Sequence, residues 1–583
     1  MNLQTVANNK SISLALGGGL LAIAWLLPNH AFPWSAFHSE IWSCLVICGL
    51  ALVVSWTGAA NYRVSVVECV VLLCALIPLI QYLKGELAFF GQSWIGAGYL
   101  LLFLTAVVTG RRMQEELPGS ALSFVSVAFG IAAIVSVGLQ LYQWLRFTES
   151  DGILDIWVLA QDGSRPYANL GQPNQLATLL LLGCLSFGWA QSRKLIGATT
   201  FIFLLLFTGM GIVLTQSRTA LLTILICGVA LLLKRKIFSR SLFVHGLWLL
   251  PLFLVSFFCI RTISTQLYLD VPVDLLTRNT RELRIEIWSM MSHALKDHFY
   301  FGFGWNNAIE AHVSVAEAYP SLSHMIAAQS HNLFLDLIVW TGLPLGMALG
   351  FAIVLWIIYV LIRVETVFDF ICASMLMVVF IHSMFEFPLY YAYFLLPLGL
   401  IVGSQIAGFN FRSLLKVRKE MVLAWTAVVL MMVSVTVIDY FRIESALQAI
   451  RFEKARIRMT VPATVPSVLV LDQLRAGLVM MKTDFGERQA GDHLDFEKAT
   501  RAMPSLSNMI NLIRYYALSD QPSEACRWMI KIQYLTDEKT RQALPAVWAE
   551  FQSSNSLLRR YVWPNRNSTA EQCVNGISEK IAP

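Results

Sequence analysis

The chain of 583 residues is 56% hydrophobic and only 14% charged, and its mean hydropathy is +0.61. Soluble globular proteins usually carry about 25% charged residues, and a single hydrophobic core stops growing near ~250–300 residues. A water-soluble fold is therefore excluded for most of this chain, and we predict an all-α polytopic membrane protein. The net charge of +6 comes with no basic stripe and no zinc pattern, so nucleic acid is not an expected partner.

The predicted spans begin near residue 12. Each helical span needs about 20 mostly apolar residues to cross about 30 Å of hydrocarbon. This window predicts about thirteen spans, at residues 12–27, 41–57, 64–82, 93–109, 120–145, 174–190, 197–215, 219–233, 242–260, 333–361, 367–385, 391–408 and 421–438. The first is predicted to stay uncleaved, because no small-x-small cleavage site stands before Pro28.

The loops between these spans differ in charge, and the difference predicts the orientation. Basic residues are concentrated in alternate short loops, at Arg63, Arg111, Arg112, Arg193, Lys194, residues 234–236, Arg363 and residues 412–419. Because cytoplasmic loops are enriched in Lys and Arg, these loops are predicted to be cytoplasmic. The long loop 261–332 and everything after about residue 439 are then predicted to lie on the periplasmic side of a bacterial inner membrane.

After Tyr440, charged residues stand between apolar residues at helical spacing. We therefore predict a transmembrane domain at 1–439 and a soluble helical domain at 440–583. The segment SLSNMINLIRYYALSDQPSEACRWMIKI within the second domain is typical of a helix, a short turn and another helix. Such an αα-hairpin would suit a tetratricopeptide-like domain, although a single clear unit predicts no repeat array.

Cysteine placement agrees with this topology. Eight of the ten cysteines lie in or at the edges of predicted spans, and the tail holds Cys526 and Cys573. Because disulfides persist in oxidising compartments, a periplasmic tail predicts a bridge between these two residues. No CxxC pair is present, which argues against metal or redox chemistry.

Polar residues collect in two stretches that border spans on the predicted outer side. In the stretch 167–175, amides such as those of Asn169 and Gln172 suit sugar hydroxyls, although a capped helix start with Pro173 in its first turn explains the same residues. In the short turn 215–219, Arg218 opposes the dipole of the helix that follows. This position suggests a bound anion such as phosphate, while the alternative is an arginine that reaches the lipid headgroups.

Two further stretches flank the long loop. Arg281 and Arg284 lie on one face of a predicted helix, which is also the pattern of an amphipathic helix lying on a membrane surface. At the re-entry into the bilayer, His331 stands beside Asn332, and histidine is the common general base near neutral pH. The alternative is a structural histidine beside a helix-capping asparagine. Downstream, the stretch HSMFEFPLYYAYF brings His382, Glu386 and Tyr390 to the same side of the membrane, with Pro388 breaking the span.

These stretches carry a resemblance to a known family. NLGQPNQLAT, TQSRTALL, LRIEIW and SHNLFLDLIVWTGLPLG resemble the O-antigen ligase/polymerase superfamily. The first of them and the long tail resemble its PglL-type branch, the protein O-oligosaccharyltransferases that glycosylate pilins. The resemblance spans about residues 165–400 and the architecture. It implies an all-helical glycosyltransferase of the C type, which acts among membrane lipids on undecaprenyl-diphosphate-linked glycans without nucleotide sugar, metal or other cofactor.

The resemblance also implies roles for individual residues. Arg218 and Arg284, with Arg281 nearby, would hold the donor diphosphate, and His331 would activate the acceptor hydroxyl. The expected glycan- or acceptor-binding residues are Gln172, Asn169, Asn332, Glu386 and Tyr390, with Tyr391 and Tyr393 competing for the place of Tyr390. The expected reaction is a one-step displacement at the anomeric carbon, which predicts inversion.

Three functions remain open at this point. The first is transfer of a glycan to Ser or Thr of a secreted protein such as pilin, and the second is O-antigen ligation to lipid A-core or polymerisation. The third is a lipid-glycan transporter, which needs ionisable or broken helices near the bilayer midplane, whereas Glu68 is nearly the only charge deep in a predicted span. We favour a protein acceptor, because a lipid acceptor already lies in the bilayer and needs no large soluble tail to deliver it.

Overall fold

The structure is a computed structural model that describes residues 3–147, 153–161, 165–267, 269, 280–409, 411, 413–457, 462–483 and 496–578. Its α-helices, in chain order, are α1 (Leu3–Ala22), α2 (Phe37–Thr57), α3 (Val66–Leu83), α4 (Phe90–Glu116), α5 (Ser120–Trp144), α6 (Pro173–Ser192), α7 (Ala198–Leu214), α8 (Arg218–Leu233), α9 (Arg240–Leu247), α10 (Leu249–Gln266), α11 (Thr280–Ala294), α12 (Ala308–Val315), α13 (Leu333–Thr341), α14 (Leu343–Ile362), α15 (Val367–Ser383), α16 (Ala392–Gly408), α17 (Lys419–Lys454), α18 (Asp472–Lys482), α19 (Phe496–Ala502), α20 (Leu506–Leu518), α21 (Pro522–Lys531), α22 (Glu538–Ser554) and α23 (Ala570–Ser578). Two short strands, β1 (Asn61–Ser65) and β2 (Ser413–Arg418), complete the regular structure.

Helix covers all thirteen segments predicted as spans. Among the described residues, six helices are long and apolar enough to cross a membrane, namely α2, α3, α4, α5, α14 and α17. Five further apolar stretches, in α1, α7, α8, α15 and α16, are shorter. The number thirteen therefore stays a prediction, whereas the mostly helical, apolar character of the chain is observed.

The predicted span 333–361 is broken into two helices at Gly342, and a loop completes its backbone hydrogen bonds. The N–H of Phe303 donates to the carbonyl of Val339 at 2.8 Å, and the N–H of Leu343 donates to the carbonyl of Phe299 at 2.8 Å. Gly342 has φ +81°, and a Cβ there would lie 2.3 Å from the backbone of Tyr300. Only glycine fits this crossing without strain.

The two short strands are an exception in the described part of the chain, which is otherwise helical as predicted. They pair antiparallel, although about 350 residues separate them in sequence, and both come from loops predicted to be cytoplasmic. Next to β1, Glu68 forms a buried ion pair with Arg111, whose Nη1 lies 2.9 Å from Glu68 Oε2. The carboxylate of Glu68 also accepts hydrogen bonds from Tyr62 and from the N–H of Ser65. This charge is thus paired at the start of α3 and gives no support to a transport pathway.

The chain divides into two compact units. Unit 1 comprises residues 1–75, 98–278 and 351–434, and unit 2 comprises residues 76–97, 279–350 and 435–583. In unit 1, α6 packs against α5, α7 and α15, while α16 packs against α2, α5 and α15. The helices at the centre of unit 1 thus join the amide stretch at the start of α6 to the segment that connects α15 with α16.

Unit 2 does not follow the predicted domain boundary at residue 439. Its hydrophobic core combines tail residues such as Trp528 and Met529 with Val313 and Ala316 from the segment 279–350. The predicted αα-hairpin is present as α20 and α21, with Pro522 at the first turn of α21. A tetratricopeptide-like array stays a prediction.

A disulfide and two carboxylates fix the tail and its contact with the start of α4. Cys526 and Cys573, the pair predicted from the sequence, form a disulfide with Cα atoms 5.8 Å apart. Asp439 in α17 is fully buried, and its Oδ2 accepts hydrogen bonds from the N–H groups of residues 469–471 at 2.7–3.2 Å. The oxygens of Asp472 accept from the N–H groups of Phe90 and Gly91 at 3.1 and 2.7 Å. Charge-assisted bonds of this kind are about twice as strong as neutral ones.

Candidate active site

In unit 1, the amide stretch and the segment after α15 meet at a carboxylate. Gln172 precedes α6 and donates from Nε2 to Glu386 Oε2 at 3.2 Å, while Asn174 donates from Nδ2 to Glu386 Oε1 at 3.0 Å. Glu386 is only 6% exposed. More than 200 residues separate it in sequence from both amides. The structure thus brings the predicted residues Gln172 and Glu386 into direct contact.

Arg165 extends this contact to the turn before α8. Its Nε donates to the carbonyl of Thr215 at 2.7 Å, and its Nη2 lies 3.4 Å from Asn174 Oδ1. We call Arg165, Gln172, Asn174 and Glu386 the amide–carboxylate cluster. Sequence analysis missed Arg165, because a single arginine before a proline in a polar loop carries no pattern of its own.

Arg218 begins the next helix. Ser217 caps α8 by accepting a hydrogen bond from the N–H of Ala220 at 3.3 Å, and Gln216 before it has φ +50°. Arg218 follows as the first helical residue and is exposed. A guanidinium beside the N-terminal N–H groups of a helix is an arrangement that can bind an anion.

Asn169 is occupied within the protein. Its Nδ2 donates to the carbonyls of Leu26 and Trp157 at 2.7 and 2.8 Å, and its Oδ1 accepts from the N–H of Leu159 at 2.9 Å. The backbone carbonyl of Asn169 bonds His30 Nε2 at 2.8 Å. A direct contact between this amide and a glycan, as predicted, would require one of these bonds to break, so the geometry assigns Asn169 to loop positioning.

The three candidate tyrosines differ in their contacts. Tyr390 ends a short 3-10 turn that Pro388 begins, and its ring packs edge-on against Phe387. Tyr393 donates from its hydroxyl to Gln175 Oε1 at 3.0 Å, and its ring stacks on Tyr391. Tyr393 therefore reaches the amide stretch through Gln175.

In unit 2, His331 lies in a turn, and hydrogen bonds fix the residues on either side of it. The N–H of Ser330 donates to Asp336 Oδ1 at 2.8 Å, and Ser330 Oγ donates to the carbonyl of Asn332 at 3.0 Å. Asn332 caps α13, because its Oδ1 accepts from the N–H groups of Phe334 and Leu335 at 3.1 Å. We call residues 330–336 the histidine turn. This is the helix-capping role that the sequence offered as an alternative to substrate binding, because Asn332 Oδ1 accepts its hydrogen bonds from the backbone.

The backbone of His331 is left-handed, with φ +58°, and the residue is half-buried. A non-glycine residue in this region costs about 1–3 kcal/mol and persists only where surrounding contacts enforce it. Here the enforcing contacts come from Ser330 and Asn332 on either side. Such outliers cluster at functional sites, which makes the histidine turn a candidate for one.

Helix α11 joins the histidine turn to the predicted arginines. Trp288 donates from Nε1 to the carbonyl of Ser330 at 2.8 Å, and Arg284 lies one helical turn earlier on the same face. Both residues are partly exposed, whereas Ile287 and Met290 of the same helix are fully buried. Arg281 belongs to α11, but its side chain lies outside the described residues. Unit 2 thus presents Arg284 from α11 and His331 from the turn before α13, and these two helices pack against each other.

Comparisons with known proteins match the same regions. A family model described as "Protein glycosylation ligase" matches residues 166–189, and one described as "O-Antigen ligase" matches residues 201–350. A third, "Virulence factor membrane-bound polymerase, C-terminal", matches residues 370–548. The first covers the amide stretch and the second covers Arg218, Arg284 and His331. The resemblance that the sequence motifs predicted is thereby confirmed.

Two curated relatives come from Acinetobacter baylyi. A "General O-oligosaccharyltransferase" is 29% identical over 414 residues, which cover 68% of this chain and 70% of the relative. A "ComP-specific O-oligosaccharyltransferase" is 24% identical over 407 residues, which cover 68% of this chain and 71% of the relative. No solved structure gives a significant match.

Proposed function

We propose that this chain, a multi-pass membrane protein similar to O-antigen ligases and protein glycosylation ligases, is an O-oligosaccharyltransferase of the bacterial inner membrane. It transfers a preassembled glycan from undecaprenyl diphosphate to Ser or Thr hydroxyls of periplasmic proteins such as pilin. The observation that carries the proposal is the histidine turn, where a strained and positioned His331 lies inside the region matched to the ligase family.

The chemistry follows from the residues. The acceptor oxygen attacks the anomeric carbon of the glycan while the bond from that carbon to the diphosphate oxygen breaks, and the lipid diphosphate leaves. His331 takes the hydroxyl proton, a contribution worth about 10²–10⁴-fold. Arg218 and Arg284 neutralise the charge that develops on the leaving diphosphate. A single displacement inverts the anomeric configuration, and no metal or cofactor is needed to balance it.

A protein acceptor suits the construction of unit 2. The core of the tail includes α12, which precedes the histidine turn in the same segment of chain. A secreted protein arrives from the periplasm and must be held with one side chain at the membrane surface, and the tail supplies a folded surface for that purpose. The family model described as "Protein glycosylation ligase", which matches residues 166–189, supports this choice of acceptor.

A second candidate function is ligation to lipid A-core, or glycan polymerisation. It is favoured by two of the family matches, whose descriptions name an O-antigen ligase and a membrane-bound polymerase. The same residues would perform the same displacement, because only the acceptor hydroxyl differs. The acceptor therefore has to be decided by experiment.

The deciding experiment expresses the chain in a host that lacks its own ligases and that makes a lipid-linked glycan, a candidate pilin and complete lipid A-core. We expect glycan on the pilin, lost when the acceptor Ser of the pilin becomes Ala and lost with His331→Ala in the enzyme. Glycan found only on lipid A-core, or only as longer lipid-linked chains, would reject the protein acceptor and select the second function.

A further inference from the structure

His312 lies in α12 and is completely buried, yet it does not belong to any of the four stretches. Its Nδ1 accepts a hydrogen bond from the N–H of Ala327 at 2.9 Å. Ala327 is four residues before His331 on the strand of chain that leads into the histidine turn. The imidazole of His312 thus fixes the backbone at Ala327, shortly before the proposed general base His331.

The protonation state of His312 suits this task. Burial lowers the pKa of His312 to about 4, so the ring is neutral at ordinary pH and its Nδ1 keeps a lone pair for the amide. The ring proton then sits on Nε2, which is buried and has no hydrogen-bond partner among the described residues. Burying an unpaired donor costs stability. An aliphatic residue would remove this donor but would leave the buried N–H of Ala327 without its acceptor. The observed role of His312 is therefore to hold the N–H of Ala327.

Helix α12 is itself built into the tail. Val313 is fully buried in the tail core, and its carbonyl accepts a hydrogen bond from Lys531 Nζ at 3.2 Å. Glu310 forms an ion pair with Arg501, with Oε1 and Nη1 2.6 Å apart. The tail therefore holds α12 from two sides, and α12 holds the chain before His331 through His312.

We propose that His312 is a positioning residue for His331, and that it connects the folded tail to the catalytic turn. The inference rests on the proposed role of His331 and adds a residue that acts through it. The tail then contributes to catalysis by fixing the approach to His331, in addition to any contact it makes with the acceptor. Loss of the Nδ1 acceptor should release Ala327 and loosen the turn.

The first test measures the hydrogen bond without measuring activity. In the full-length protein, hydrogen exchange read by mass spectrometry compares wild type, His312→Leu and His312→Asn over peptides covering residues 325–331. Asparagine places an oxygen near the position of Nδ1, whereas leucine has no acceptor. We expect exchange at Ala327 to rise by about tenfold or more in His312→Leu and to stay near wild type in His312→Asn. Unchanged exchange in His312→Leu would overturn the proposal.

The second test separates positioning from general stability. At equal amounts of folded protein, His312→Leu should lower kcat by about 10- to 100-fold, because small misplacements of a catalytic group have effects of this size. The KM for the lipid-linked donor should stay within about twofold, since the bond lies outside the proposed diphosphate contacts. His312→Asn should restore most of the kcat. The matched control is His324→Leu, an exposed histidine of the same loop, which should leave both constants unchanged.

Three further outcomes have to be interpreted. If His312→Leu does not accumulate, the pair His312→Asn and His312→Gln serves instead, because glutamine carries its oxygen near Nε2 and should fail where asparagine succeeds. Equal kcat in that pair would overturn the proposal. If the wild-type chain transfers glycan to lipid A-core, the proposed acceptor fails but the comparison of variants is made with that acceptor. If it transfers nothing, the proposed function fails and the exchange measurement alone decides whether His312 fixes the turn.

Discussion

The amide–carboxylate cluster of unit 1 and the histidine turn of unit 2 are built in opposite ways. In the cluster, side chains bond to side chains that lie more than 200 residues away, as Gln172 and Asn174 do with Glu386. In the turn, side chains such as those of Asp336 and Asn332 bond to backbone groups within a few residues. The cluster can exchange its internal bonds for bonds to ligand hydroxyls, because its amides and carboxylate are donors and acceptors of the same kind. In the histidine turn, the hydrogen bonds instead fix one backbone conformation.

This difference predicts how each region responds to substitution. Gln172 and Asn174 share the carboxylate of Glu386, so the loss of one bond is expected to affect the other. In the turn, every bond serves the position of a single side chain, so its loss should appear in the chemical step. The four predictions below test this contrast, beginning with the largest expected effect.

His331→Ala removes the side chain that the turn positions. We expect glycan transfer to fall by about 10²–10⁴-fold, to background in a cellular assay, while insertion and accumulation stay normal. The measurement is transfer of a labelled lipid-linked glycan to the acceptor, normalised to the amount of enzyme. The control is His324→Ala in the same loop, which should transfer normally. Normal transfer by His331→Ala would remove the central residue of the mechanism.

Arg218→Lys and Arg284→Lys test the two residues that are proposed to contact the diphosphate. Lysine keeps the charge but loses the planar fork that matches phosphate oxygens, so we expect each variant to transfer about 10- to 100-fold more slowly. Initial rates with a lipid-linked donor measure the effect. Arg418→Lys, an exposed strand residue paired with Glu420, serves as the control. A near-wild-type rate for Arg218→Lys or Arg284→Lys would reassign that residue to a contact with lipid headgroups.

Some features of the fold could be predicted from the sequence, and others could not. The helices were predictable because each span is a local run of apolar residues, and so was the αα-hairpin with its Pro522. The break at Gly342 was not, because the loop around Phe299 and Phe303 that completes its hydrogen bonds comes from a distant part of the sequence. The pairing of β1 with β2 was missed for the same reason.

The candidate site shows the same division. His331, Arg218 and Arg284 stand in motifs that a sequence displays. Arg165 and His312 carry no motif, because each acts on a backbone atom that folding brings close, the carbonyl of Thr215 and the N–H of Ala327. Whether a polar residue faces a ligand or its own backbone, as Asn169 does, depends on these non-local contacts.

A double-mutant cycle tests whether the amide–carboxylate cluster acts as one network. Glu386→Ala removes both amide bonds, whereas Gln172→Ala removes one. We expect Glu386→Ala to reduce transfer more than Gln172→Ala, and the double variant to be no worse than Glu386→Ala. The coupling free energy should be about 0.5–3 kcal/mol. Rates of transfer at several acceptor concentrations provide the data.

The control for this cycle pairs Gln172→Ala with Gln542→Ala, since Gln542 bonds Glu538 on the tail and shares no partner with Gln172 among the bonds described. The effects of this pair should add. Additive effects of Gln172→Ala and Glu386→Ala would contradict the network and make the cluster a set of independent contacts.

The disulfide of the tail should have the smallest effect on transfer and a large effect on tail stability. Cys526 and Cys573 are 47 residues apart in sequence, and closing a loop of that length stabilises a fold by about 4 kcal/mol in the chain-entropy account. The bridge joins α21 to α23, which pack against each other. We therefore expect the variant with both cysteines changed to Ser to transfer glycan within about fivefold of wild type at 25 °C, because the remaining core still folds.

The same variant should lose its tail to protease at a clearly lower temperature than wild type, as followed on the full-length protein by gel. Cys259→Ser, at an exposed free cysteine, provides the control and should change neither property. A bridge-less tail that resists protease as wild type does would show that the core around Trp528 is sufficient without the cross-link. A complete loss of transfer with an intact tail would place the disulfide within the acceptor-binding machinery, and the contrast between a catalytic turn and a stabilising tail would then have to be redrawn.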